Sequence, residues 1–149
     1  MRPAVTRFVQ RIFLSISVLA AGGALVSSLS LYHHYGTSQT SYCDFGESFN
    51  CDIVNRSTYS VIFGIPVALI GIIGYVALLL LATFYRSKAE APATLLIASL
   101  TGLGFALYLT YIEGFVLAAW CLLCLSSLAL IFAIALLSSL LLVHQVRQA

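Results

Sequence analysis

The sequence predicts an all-α integral membrane protein, a bundle of four transmembrane helices with an outer loop that contains a short helix. The first observation is composition, because 61% of the 149 residues are hydrophobic and only 8% are charged. Soluble domains carry about 25% charged residues. The second is that the charges occur in clusters separated by long uncharged stretches. These features exclude a soluble enzyme, a nucleic-acid-binding protein and a disordered chain.

Each of the four long stretches between charge clusters has room for one membrane-spanning helix, which needs about 20 apolar residues. The first helix is placed near 9–32 and the second near 62–85. The third is placed near 92–112 and the fourth near 121–143. Pro66 then falls in the first turns of the second helix, where a missing N–H is tolerated. The 149 residues are expected to form a single domain.

Basic residues predict the orientation, because short cytoplasmic loops of membrane proteins carry an excess of Lys and Arg. The N-terminus has three arginines, the link near 86–91 has two basic residues, and the C-terminus has Arg147. The 33–60 loop has one arginine against three acidic residues, and the 113–120 link has no basic residue. We therefore expect a multi-pass protein of the plasma or inner membrane with both termini in the cytoplasm and these two loops outside.

All four cysteines fall on the predicted outer side, where an oxidising environment lets disulfides persist. Cys43 and Cys51 lie in the 33–60 loop, and Cys121 and Cys124 form a C-x-x-C motif where the fourth helix begins. The N–H groups and the dipole at this helix N-terminus favour a thiolate, chiefly at Cys121, whose pKa should fall. The motif is therefore interpreted as a redox-active pair rather than a structural one.

Two other interpretations of the cysteines stay open. They could form two structural disulfides, one in the loop and one within the C-x-x-C motif, although the second would close too small a loop to contribute much stability. They could bind zinc, alone or with His33 and His34, although C-x7-C is not a common zinc spacing. No metal is expected.

Three further groups are candidates beside the thiols. Ser57 lies where the loop re-enters the membrane, so its hydroxyl could donate a hydrogen bond to a ligand carbonyl or could cap a helix. Glu113 is the only charged residue between the third and fourth helices, and it would be exposed at the interface or mark the mouth of the site. Asp44 and Asp52 directly follow the loop cysteines and are interpreted as solvated loop charges.

Four motifs in a specific order carry a resemblance that covers nearly the whole chain: Cys43-x7-Cys51, Ser57, Phe63-Gly64-Ile65-Pro66, and Trp120-Cys121-Leu122-Leu123-Cys124. Together they resemble the vitamin K epoxide reductase family. The Gly-Ile-Pro segment close behind the serine is similar to that of prokaryotic members. Many of these carry a fused thioredoxin-like domain, which is absent from the 149 residues, so the resemblance implies a separate partner.

The resemblance implies a relay of electrons through the four cysteines to a quinone. A thioredoxin-like dithiol protein on the outer side would reduce the Cys43–Cys51 pair. Cys51 would exchange with Cys121, and the Cys124 thiolate would reduce ubiquinone or a menaquinone of the vitamin K type. Ser57 would donate a hydrogen bond to a quinone carbonyl. The implied function is a quinone-dependent thiol–disulfide oxidoreductase that supports disulfide bond formation.

Two alternatives are kept. One is a vitamin K quinone and epoxide reductase of the vertebrate type, which is disfavoured because Leu128 stands where vertebrate members have a tyrosine in the quinone pocket. The other is a non-catalytic membrane scaffold with structural disulfides. Membrane lipid is an expected partner, and nucleic acid is not, because the chain has no basic stripe for phosphates.

Overall fold

The computed structural model describes residues 3–35, 54 and 57–149. Four long helices lie within this part of the chain: α1 (Pro3–Tyr35), α2 (Val67–Thr83), α3 (Ala91–Tyr111) and α4 (Leu122–Gln148). Most of the 33–60 loop, including Cys43, Cys51 and the short helix predicted there, falls outside the described residues.

Short elements lie between these helices in the described residues. A 3-10 turn (Thr58–Ser60) leads into a hairpin of two strands, β1 (Val61–Ile62) and β2 (Ile65–Pro66), directly before α2. A π-helical segment (Ile112–Leu117) continues α3 into the region predicted as the link to the fourth helix.

Three of the helices are long and apolar enough to cross a membrane. The candidate spans Thr6–Tyr32, Ala91–Leu117 and Leu122–Gln148 have 27 residues each and mean hydropathies of 2.0, 1.8 and 2.5. Helix α2 is also apolar, but its 17 residues make it shorter. At 1.5 Å per residue such a helix rises only about 25 Å. The described residues thus confirm a helical fold with membrane-type helices, and three of the four predicted helices reach spanning length.

The second helix begins at Val67, later than the predicted start near 62. The β1–β2 hairpin occupies the intervening residues. Its turn residues, Phe63 and Gly64, have φ values of 52° and 80°, and a two-residue type I′ turn requires positive φ at both positions. Pro66 is the N-cap residue of α2 rather than part of its first turn, because its ψ of 135° is extended and the helical backbone begins only at Val67.

Helices α1 and α4 pack against each other and form the centre of the bundle. Helix α1 packs against α2 and α4, and α4 packs against α3, whereas α2 and α3 contact each other less extensively. Fully buried side chains from three helices meet in the core: Ile16 of α1, Leu95 of α3 and Ile134 of α4. Large apolar side chains such as Leu25 and Phe132 are exposed on the outer faces. Apolar outer faces of this extent are expected where helices contact lipid.

Candidate functional site

The C-x-x-C motif lies at the start of α4. Cys121 is the N-cap residue, and its Sγ accepts a hydrogen bond from the Cys124 N–H at 3.4 Å. Cys121 is fully buried, whereas Cys124 is partly accessible. No disulfide joins the two residues to each other in this structure. The sequence-based placement of the motif at a helix N-terminus is therefore confirmed.

Cys121 lies between two candidate membrane spans, and its surroundings lower the pKa of its thiol. The largest cause is a hydrogen bond with the Cys124 side chain, and the N–H groups of Cys124 and Leu123 act in the same direction. Burial and the charge of Glu113 oppose this shift. The direction agrees with the prediction from the helix N-terminus, and the neighbouring thiol is the largest single cause.

Glu113 is buried beside this motif. The residue is only 1% exposed, and its Oε2 accepts a hydrogen bond from the Cys121 N–H at 3.2 Å. The Cys124 thiol lies close enough to this carboxyl group to interact with it electrostatically. The other oxygen, Oε1, has no hydrogen-bond partner among the described residues. Of the two positions predicted for Glu113, exposure at the interface is wrong, and the carboxyl group lies at the cysteines.

An unusual connection between α3 and α4 brings Glu113 to the cysteines. Glu113 belongs to the π-helical segment Ile112–Leu117, and its main-chain carbonyl accepts a hydrogen bond from the Ala119 N–H at 3.1 Å. Between them, Ala118 adopts a left-handed conformation with φ of 51°, which is unfavourable for a residue with a Cβ. Both π-helical segments and strained residues concentrate at functional sites.

A cavity of about 580 Å³ lies inside the bundle, and Cys124 and Glu113 form part of its wall. All four helices contribute to the wall, which is mostly apolar. The volume falls within the range of about 300–1,000 Å³ that is typical of small-molecule pockets. Such a cavity suits an apolar ligand that has a few hydrogen-bonding groups.

Ser57 lies on the wall of the same cavity, so the structure brings it together with Cys124. Its hydroxyl donates a hydrogen bond to the Val54 carbonyl at 2.8 Å. Ser57 also occupies the N-cap position of the 3-10 turn, but its side chain makes no capping hydrogen bond. The structure thus places Ser57 on the cavity wall without a capping role for its side chain, and its hydroxyl would have to turn from Val54 to reach a ligand.

Tyr75 and Ser127 form a polar pair that the sequence analysis did not single out. The Tyr75 hydroxyl donates a hydrogen bond to the Ser127 carbonyl at 2.8 Å and also lies 2.8 Å from the Ser127 hydroxyl. The pair joins α2 to α4, and both residues line the cavity. Tyr75 is the one aromatic residue in α2, and a lone tyrosine in the middle of an apolar helix is a signal that could have identified it.

The position of the loop cysteines relative to this site is constrained only by the chain. Cys43 and Cys51 lie outside the described residues, but Val54 is buried in a cluster with Ala119 and Cys121. Val54, which follows Cys51 by three residues in the sequence, thus lies beside the C-x-x-C motif. Within the part of the chain that the structure describes, no group of three or more His, Cys, Asp or Glu side chains could hold a metal ion.

A profile of the Vitamin K epoxide reductase family matches residues 14–139. The matched region contains every residue of the site described above, from the helix positions on the cavity wall to the C-x-x-C motif.

Proposed function

The chain belongs to the vitamin K epoxide reductase family, and from this premise we propose that it passes electrons from a dithiol protein outside the cytoplasm to a quinone. Members of this family are membrane oxidoreductases that act on thiols and on quinone or vitamin K substrates. The observation that carries the proposal is the position of Cys124. Its thiol lies on the wall of an apolar cavity, and Cys121 lies directly behind it at the N-terminus of α4.

The chemistry follows from this arrangement. When both residues of the C-x-x-C motif are thiols, they can lose two electrons and two protons and form a Cys121–Cys124 disulfide. A quinone in the cavity takes up both electrons and both protons and becomes a hydroquinone. The apolar wall holds the ring and excludes water, and the lowered pKa of Cys121 makes its sulfur a better nucleophile at neutral pH.

The Cys121–Cys124 disulfide must then be reduced again through the loop. We propose that the Cys51 thiolate attacks Cys121 and releases Cys124, which leaves a Cys51–Cys121 mixed disulfide. Cys43 then attacks Cys51 and releases Cys121, and the partner protein reduces the resulting Cys43–Cys51 disulfide at Cys43. Burial of Val54 in the cluster around Cys121 supports this route. Cys51 precedes Val54 by three residues, so covalent geometry limits their Cα atoms to a separation of about 11 Å.

We also propose how the helices cross the membrane. Helix α2 acts as the fourth membrane-crossing helix. Its 17 residues are shorter than a full span, and the β1–β2 hairpin crosses the remaining part of the membrane. The distribution of Lys and Arg supports an orientation with both termini in the cytoplasm and the C-x-x-C motif outside. The partner is a separate thioredoxin-like protein, and the quinone is ubiquinone or a menaquinone, reached from the plasma or inner membrane.

A reconstituted assay tests the function. Purified protein in lipid nanodiscs is given a reduced thioredoxin-like dithiol protein and a quinone, and hydroquinone and partner disulfide are measured together. We expect both products in equal amounts and neither product in the absence of the nanodisc protein. Partner oxidation that does not depend on quinone would contradict the proposal. Supplying vitamin K epoxide instead of quinone separates the vertebrate-type activity from this one.

Ser57→Ala should weaken quinone binding. Loss of one hydrogen bond to a carbonyl corresponds to about 1 kcal/mol, so the KM for quinone should rise about fivefold to tenfold. Thr58→Ala is a matched control, because Thr58 is the adjacent hydroxyl residue and does not line the cavity. A Ser57→Ala protein with the KM and kcat of the wild type would remove Ser57 from the quinone site.

Cys43→Ala should abolish electron transfer from the protein partner without abolishing quinone reduction at the inner cysteines. Turnover with a small dithiol such as dithiothreitol should continue, because a small molecule can reach the inner cysteines without docking at the loop. Turnover with the protein partner should fall to background. Ser41→Ala in the same loop is the control. Equal loss with both reductants would show that Cys43 does more than receive electrons from the partner.

A further inference from the structure

Glu113 is a buried ionisable group to which the relay of cysteines assigns no role. It is 1% exposed, and no lysine or arginine among the described residues forms an ion pair with it. Its Oε1 lacks a hydrogen-bond partner in the described part of the chain. An unsatisfied buried polar atom is unfavourable by about 1–3 kcal/mol and is rare in native proteins. A group retained under these conditions within a membrane helix requires an explanation in function.

The position of the carboxyl group suggests what it does. Oε2 accepts the Cys121 N–H at 3.2 Å, which holds the carboxyl group against the first turn of α4. The Cys124 thiol interacts with the same carboxyl group, and both residues line the cavity. Glu113 therefore lies between the sulfur that meets the ligand and the N-cap residue of the helix, with one oxygen available.

We propose that Glu113 accepts the proton of the Cys124 thiol when the dithiol reduces the quinone, and that it delivers this proton to an oxygen of the reduced ring. The inference rests on the proposed function. The Cys124 sulfur loses its proton to the carboxylate, and the two sulfurs form the S–S bond as two electrons pass to the quinone. One quinone oxygen takes the proton from Glu113, and the other takes the proton that Cys121 loses. The carboxylate is regenerated in each turnover, so that the overall reaction is dithiol plus quinone to disulfide plus hydroquinone.

Other titratable groups on the described cavity wall are placed less well for this step. They are Cys124 itself, His34 of α1, Tyr59 of the 3-10 turn and Tyr75 of α2. The Tyr75 hydroxyl is engaged with Ser127, and His34 Nδ1 lies 3.5 Å from the Ser60 hydroxyl. Helix α3 and the π-helical segment contribute no titratable group to the wall besides Glu113. Glu113 is thus the carboxyl group available to Cys124 in the described residues.

Glu113→Gln separates proton transfer from positioning. Glutamine has nearly the same shape, and its amide oxygen can still accept the Cys121 N–H, but it cannot take up the thiol proton. Quinone reduction with saturating dithiothreitol should fall about 100-fold, the lower end of what general base catalysis contributes. Ser138→Ala is the control, because Ser138 Oγ is the other buried atom without a described partner and does not line the cavity.

The pH dependence of the rate distinguishes proton transfer by Glu113 from positioning of Cys121 by Glu113. In the Gln variant only solvent can take the proton, so its residual rate should rise about tenfold per pH unit below about 8.5, the usual thiol pKa. The wild type should show a shallower dependence where the Glu113 carboxylate is ionised. Should the Gln variant fail to fold, Glu113→Asp keeps a proton-accepting group and should retain the wild-type pH dependence at a lower rate.

The outcomes are separable. An active wild type with an equally active Gln variant would overturn this inference alone. A slower Gln variant whose pH profile matches that of the wild type would also overturn it, because Glu113 would then only position Cys121. A wild-type protein without quinone reduction would overturn the proposed function, and this inference with it.

Discussion

Cys124→Ala should reduce quinone-dependent thiol oxidation by at least about 10³-fold, as expected when the sole nucleophile at a site is removed. Among the cysteines that the structure describes, Cys124 is the one on the cavity wall, and Cys121 is fully buried behind it. Cys121 therefore has no direct access to a ligand in the cavity and should not substitute for Cys124. Steady-state hydroquinone formation with dithiothreitol as the reductant measures the effect.

Ser126→Ala is the matched control for this substitution. Ser126 is a small polar residue on the same helix, its hydroxyl donates to the Leu122 carbonyl at 2.8 Å, and it does not line the cavity. The control should keep the wild-type rate. If Cys124→Ala kept its quinone-dependent rate instead, both the proposed relay and the vertebrate-type alternative would be wrong, and the scaffold interpretation would gain support.

Gly23→Ala should distort the cavity and destabilise the bundle. A Cβ at Gly23 would collide with the Tyr75 ring, which packs directly on the α1 backbone. The ring would have to move, and its hydrogen bonds with Ser127 would lengthen or break. Overpacking of this kind lowers the free energy of unfolding by about 1–3 kcal/mol. Thermal unfolding in detergent and the KM for quinone should both register the change.

Gly22→Ala controls for the effect of alanine on the helix itself. A Cβ at Gly22 meets no atom within 4 Å, so this variant should be at least as stable as the wild type. Gly23→Ala combined with Tyr75→Leu should lose less stability than the two single changes together, since the collision is removed. Equal stability of the two glycine variants would show that the packing of the Tyr75 ring does not require a residue without a side chain at position 23.

The sequence predicts the helices well because a membrane imposes a length and excludes charge. The long uncharged stretches predict α1, α3 and α4. Helix α1 is longer than predicted at both ends, α3 lies within one residue of the predicted range, and α4 ends at Gln148 rather than near 143. The start of α2 was predicted less well. Apolar residues around Phe63 and Pro66 are compatible with a helix in composition, and only the backbone preferences at a turn and before a proline determine the hairpin.

The site was predictable where its chemistry is local. Cys121 and Cys124 are three residues apart, so the helix N-terminus alone fixes their relation. The contact between Tyr75 and Ser127 joins residues that are 52 positions apart, and it depends on how α2 packs on α4. The burial of Glu113 depends on a π-helical segment and a left-handed Ala118, which have no reliable sequence signature.

Those long-range features also determine what the cavity can do. Tyr75 occupies its place because Gly23 has no side chain, and Glu113 reaches the cysteines because the end of α3 is widened. Both arrangements add polar groups to a wall that is mostly apolar. A ligand with carbonyl groups would therefore meet a small number of defined partners near Cys124.

A single turnover tests the central claim most directly. Protein in which Cys43 and Cys51 are both replaced by Ala retains only Cys121 and Cys124, so it can hold two electrons. The protein is reduced, freed of reductant and mixed anaerobically with excess quinone. The account predicts one hydroquinone for each chain, the loss of two thiols and a Cys121–Cys124 disulfide identified by mass spectrometry. Both thiols remaining reduced in the presence of quinone would contradict it.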